Sequence, residues 1–224
     1  MIIRLRLMRI KKPLVPILLI LNGVIVGVLI SSAIFAFTGY SLFAGTPRNV
    51  VPSDATGNTA LTALAYSVLE QIRDDDFLAL SQVAHPELGV VFTPYSTINL
   101  STDRRFSADQ IAMFDTDTTT YMWGVYNGSG EPMLLTPTEY FELFIPAESC
   151  LNASVIGVNQ LVRSGNALEN IADVFPNALF VDFHMPGSQE DTPEDYDWSS
   201  LRLGFEEYEG ELRLVIIVHS RWTA

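Results

Sequence analysis

Residues 201–222 read LRLGFEEYEGELRLVIIVHSRW, two strand-like runs joined by Glu209-Gly210. An acidic residue followed by Gly between alternating apolar runs supplies the positive-φ positions of a two-residue hairpin turn. Such a turn sets Tyr208 opposite Glu211, then Glu206 opposite Arg213 and Phe205 opposite Leu214. Continued without interruption, the register stacks Leu203 on Ile216 and Leu201 on Val218, apolar on apolar, with acid against base on the other face. Pairs of this kind contribute roughly 0.2–1 kcal/mol each, and a one-residue slip exchanges the faces, so the pairing is well specified.

Outward from the hairpin, ALFVDFHM at 178–185 is a further strand, followed by the acidic loop PGSQEDTPEDYD at 186–197. Before it, Leu168, Ile171, Ala172 and Phe175 share one side of a helix closed by Pro176, and 152–163 is a strand or an irregular link. Thr136, Pro137 and Glu139 mark a helix start, and Ser107 with Gln110 forms a capping box. NGSG at 127–130 turns a strand at 120–126 back into MLLT, and GVVFT at 89–93 is a short strand. The first helix begins near Thr59 with Leu61, Leu64, Ala65, Val68 and Ile72 at helical spacing; Asp74, Asp75 and Asp76 break it and cap a second helix that ends at His85-Pro86.

Far upstream, residues 14–37 carry no charge, long enough for the roughly 20 apolar positions that cross a bilayer. Arg4, Arg6, Arg9, Lys11 and Lys12 precede them without an acid, which by the positive-inside bias holds the N-terminus in the cytoplasm. The expected organisation is a basic arm at 1–12, a transmembrane anchor or signal sequence at 13–38, a Gly/Pro/Ser-rich linker at 39–58 and an extracytoplasmic domain at 59–224. The stretch exceeds the 7–15-residue core of a cleaved signal, which favours an anchor; secretion after cleavage is the alternative. All 26 acids follow this stretch with eight arginines and no lysine, a formal charge of −18. Such a surface repels nucleic acid and anionic lipid. The single Cys150 allows no internal disulfide.

No CxxC, HExxH, GxSxG, P-loop or GxGxxG motif is present. Alternation places Asp182 and His184 on one face of their strand, and Glu206, Arg213, His219 and Arg221 on one face of the hairpin. If the strands are neighbours, Asp182, His184 and His219 are the candidate catalytic residues, an acid orienting a His for proton transfer. Arg202, Arg213 and Arg221 are candidate ligand-binding cations. The same alternation equally describes the wetter face of an antiparallel sheet. Asp191, Asp195 and Asp197 offer hard oxygens to a cation but lack EF-hand spacing, so no metal and no cofactor is expected.

The helix, acidic break and His-Pro turn in AYSVLEQIRDDDFLALSQVAHPELGVVF, with the closing hairpin, resemble the NTF2-like (SnoaL-type) superfamily; GVVFTPY and HSRWT resemble exported bacterial proteins of no assigned function. The resemblance implies an α+β fold in which a curved antiparallel sheet, the NTF2-like cone, wraps on helices around a pocket. Members use that pocket for isomerisation, dehydration, cyclisation or plain binding, and fold alone does not choose among these. The expected function is a non-enzymatic, membrane-tethered binding or interaction domain of the bacterial cell envelope, with a small molecule or an envelope protein as partner. The alternative is an NTF2-like enzyme with an Asp-His pair in its cavity.

Overall fold

The computed structural model describes residues 55–188 and 196–222. The expected arm at 1–12, the apolar span at 13–38 and the linker up to residue 54 lie outside the described residues, as do Asp191 and Asp195. Among the described residues no helix is long and apolar enough to cross a membrane.

Helix α1 (Ala55–Arg73) begins four residues earlier than the Thr59 expected from its apolar stripe, so the end of the linker belongs to the helix. Leu61, Ala65, Val68, Leu69 and Ile72 form its buried side. Asp75 takes a left-handed conformation at φ 54°, and Asp76 caps α2 (Phe77–Val83) by accepting the Ala79 N–H at 2.9 Å. The Ser107–Gln110 capping box forms as read and opens α3 (Ala108–Ile111), and the helix start expected at Thr136 opens α4 (Pro137–Phe144) with a second capping box, between Thr136 and Glu139. α5 (Ala147–Leu151) follows, too short to show a period in sequence, and α6 (Ile171–Val174) is a single turn that leaves Leu168 outside it and exposed.

Six strands form one sheet in the order β2 (Arg104–Phe106), β1 (Val90–Thr93), β8 (Glu211–Arg221), β7 (Ser199–Tyr208), β6 (Leu179–Met185), β5 (Val155–Val158). The architecture is α+β, but the sheet is mixed. β1 runs parallel to β8, Val91 beside Ile216, while every other neighbour is antiparallel. Strands joined by hairpins must alternate direction; β1 and β8 are joined by the rest of the domain, which frees them to run together. β3 (Tyr121–Val125) and β4 (Pro132–Leu135) form a separate hairpin. Trp123 on β3 stacks on Tyr140 of α4 with centroids 3.8 Å apart, which fixes that hairpin to the core.

Both faces of the large sheet are covered. Val181, Phe183, Leu201, Leu203, Phe205, Leu214 and Ile217 pack with residues of α1 to α5, whereas Val91, Phe180, Val215, Ile216 and Val218 pack with Ile98, Ile171 and Phe175.

The hairpin follows the expected register only near its turn. Tyr208 faces Glu211, Glu206 faces Arg213 and Phe205 faces Leu214, but Gly204 then faces Ile216, leaving Val215 as the extra residue of a bulge. Leu203 consequently lies opposite Ile217 rather than Ile216, and Leu201 opposite His219 rather than Val218. The cause is local. A Cβ on Gly204 would stand 2.6 Å from Ile216 Cγ2, so only glycine lets the Ile216 side chain lie across β7 at this point.

Candidate functional site

The bulge decides which predicted residues meet. An uninterrupted register brings His219 opposite Ser200, on the face of Asp182 and His184. The extra residue instead sets Ser220 opposite Ser200 and turns His219 to the helix-covered face, 5.7 Å from the Phe144 ring. Asp182 and His184 stay together on the other face, opposite Arg202 and Ser200 of β7.

That face is a buried polar network rather than a wet surface. Arg202 is fully buried, its Nε 3.1 Å from Asp182 Oδ1 and its terminal nitrogens on both oxygens of Glu169. The loop after β5 closes over it. Gly157 lets the chain fold back against the Gln160 carbonyl, Asn159 turns with φ 54°, and the Val162 N–H then reaches Asp182 Oδ2 at 2.8 Å. Asn170 pins the far end of the loop through both backbone groups of Ile98. Burial pushes the Asp182 carboxyl above its ordinary range, outweighing the pull of Arg202. His184 Nδ1 lies 2.9 Å from Ser200 Oγ and its ring 5.8 Å from Trp198. With their hydrogen bonds committed internally, Asp182 and Arg202 hold the loop on the sheet.

The other predicted residues meet at the end of the sheet. His219 and Arg221 line a half-open cleft of about 510 Å³ with Trp198 and Ser199 at the start of β7, Tyr196, Asp197 and Trp222 beside them, and Asn127, Leu143 and Pro146 opposite. His219 is buried, and its Nδ1–H donates to the Pro94 carbonyl at 3.2 Å. Burial pushes its pKa down to about 4, so the ring is neutral at physiological pH and its Nε2 is an acceptor. Tyr196 and Trp222 are exposed aromatics with centroids 5.0 Å apart.

A second cleft of about 470 Å³ shares Asn127 and is lined by Thr93, Tyr95, Trp123, Gly124 and Asp103 among others. Asp103 closes the preceding turn by accepting the Asn99 N–H at 2.8 Å, and burial raises its carboxyl to about 6 against that bond and one from Thr93. Sequence reasoning passed over Asp103 and Glu169. Neither sits in a periodic element, and each gains its environment from segments distant in the chain.

Arg213 reaches neither cleft. Its Nη1 donates to the Gln82 carbonyl at 2.6 Å, and its ion pair is with neighbouring Glu211 rather than Glu206 across the hairpin. Asp197, of the acidic loop, takes the Ser188 N–H on both oxygens. Among the described residues no cluster of three or more His, Cys, Asp or Glu side chains is arranged to hold a metal. Cys150 is buried beside Met185 with its thiol pushed up to about 12 by burial, far from the reactive thiolate. No protein-family model, curated protein or solved structure matches this chain.

Proposed function

We propose that residues 59–224 form an extracytoplasmic binding domain of the bacterial cell envelope, tethered by the apolar span at 13–38 with the N-terminus in the cytoplasm, and that ligand enters at the end of the sheet where His219 and Arg221 converge. The carrying observation is the division of the predicted polar residues. Asp182 and Arg202 spend their charges on each other inside the fold, while His219 and Arg221 face a half-open cleft of the size small-molecule sites favour. The six-stranded sheet with α1 to α5 packed on one face supports an NTF2-like architecture.

The test uses Asn127, exposed and common to both clefts. A chemically mixed ligand library is screened by thermal shift on the full-length chain in nanodiscs. Ligands are expected that raise the melting temperature of the wild type but not of Asn127→Trp, whose indole fills the cleft mouths. Equal shifts in both proteins, or no shift with any compound, reject binding at this end of the sheet.

A second reading, an NTF2-like isomerase, dehydratase or cyclase, is favoured by Asp103, whose carboxyl at about 6 in a cleft suits a general base near neutrality. In that reading Asp103 takes the place of the expected Asp-His pair. Its signature is a substrate turned over by the wild type and bound but not turned over by Asp103→Asn.

A further inference from the structure

We infer that the cleft bounded by His219, Arg221 and Trp222 takes a neutral oligosaccharide, one sugar ring lying on the Trp222 and Tyr196 faces and its hydroxyls bonded by Arg221, Asn127 and His219. The inference rests on the binding reading above and adds the ligand's chemical class.

Three observations converge on it. Tyr196 is 53 % exposed and Trp222 37 %, both line the cleft, and their planes stand 49° apart, so the rings are not stacked flat on one another. Large exposed aromatics with polar tips suit a ligand that is apolar on one face and hydroxylated at its rim, which is the surface of a pyranose ring. Among the described lining residues Arg221 is the formal cation and Asp197 the formal anion, with His219 neutral, a balance that suits an uncharged ligand.

The donor set also matches hydroxyls. Arg221 makes no ion pair among the described residues and offers five donors, His219 Nε2 is an acceptor, and Asn127 supplies both functions. β7 is paired on both sides down to Ser199, whereas β8 beyond Val218 pairs with β7 alone, so an extended peptide is the competing occupant that the hexapeptide arm below tests.

The experiment labels the full-length chain with 5-fluorotryptophan in a non-glycosidic detergent. The chain has three tryptophans, of which Trp198 and Trp222 line this cleft and Trp123 the other. Cellohexaose, chitohexaose and xylohexaose are titrated and followed by fluorine NMR. At least one oligosaccharide is expected to move the Trp222 and Trp198 resonances and leave that of Trp123 in place. Trp222→Ala is expected to weaken binding about tenfold or more and Arg221→Gln about fivefold, in keeping with an exposed aromatic anchor and one lost polar partner. Both sites are exposed, and circular dichroism verifies that the variants fold.

Absence of response to all three sugars, or an unchanged affinity in Trp222→Ala, overturns the saccharide assignment. Stronger displacement of the Trp222 signal by oligogalacturonate, or by a hexapeptide, also overturns it while leaving a binding cleft in place. Failure of the broader library screen on Asn127→Trp removes that cleft as well.

Discussion

Replacing His219 by Gln isolates the energetic consequence of burying an imidazole at the cleft. The glutamine amide preserves a donor toward the Pro94 carbonyl and removes the titration. In the folded chain burial holds His219 near 4, against 6.5 for a free imidazole. Between these values the unfolded chain binds a proton that the folded chain refuses, so stability is complete above pH 6.5 and is lost as pH falls toward 4. A shift of this size is worth about 3 kcal/mol, most of which has gone by pH 4.5.

Asp103 acts with the opposite sign over much of the same range. Its folded carboxyl, raised to about 6, takes up a proton before the unfolded one does, so acidification relieves a destabilisation. The wild type therefore shows a muted response, and the informative quantity is the difference between proteins. Urea unfolding of the full chain in micelles is followed by tryptophan fluorescence at pH 7.5 and pH 4.5. His219→Gln is expected to lose about 2–3 kcal/mol less than the wild type between the two. An equal loss in both proteins means that His219 protonates as readily folded as unfolded, and the buried, neutral imidazole is refuted. Asp103→Asn is expected to show a steeper acid loss than the wild type in the same titrations.

Arg202→Ala is expected to cost about 3–5 kcal/mol, because it leaves Asp182 and Glu169 buried without their cation; equilibrium urea titration checks it, and a cost under 1 kcal/mol contradicts the network. Gly204→Ala is expected to lose about 1–3 kcal/mol as the new Cβ displaces Ile216, and hydrogen exchange is expected to quicken in β7 and β8 around the bulge. Leu203→Asp is expected to unfold the domain, since Leu203 is fully buried against the helices, while Arg213→Ala costs less than about 1 kcal/mol at a partly exposed site; equal midpoints for the two variants reject the assignment of faces.

What the sequence disclosed and what it concealed divide along range of interaction. The caps of α2, α3 and α4 depend on residues three apart, and all three were legible from Asp76, Ser107 with Gln110, and Thr136 with Glu139. The hairpin turn was legible for the same reason. The bulge carried a visible signal, an isolated glycine inside a strand, but recognising it required knowing that Ile216 would lie across Gly204. That single extra residue is why His219 and His184 end on opposite faces, so a local ambiguity became an error in the site. The parallel β1–β8 pair and the Glu169 contact were not legible at all, since both join segments whose proximity only the completed core dictates. The predicted Asp-His constellation is divided between two faces for a physical reason. Alternation correctly grouped Asp182 with His184, but a loop anchored by Asn159 and Asn170 buried that face. At the end of β8 the last described residues, Arg221 and Trp222, are exposed, while His219 and Ser220 before them are buried. Past the bulge, His219 and Arg221 lie on the opposite face from Asp182 and meet at the end of the sheet.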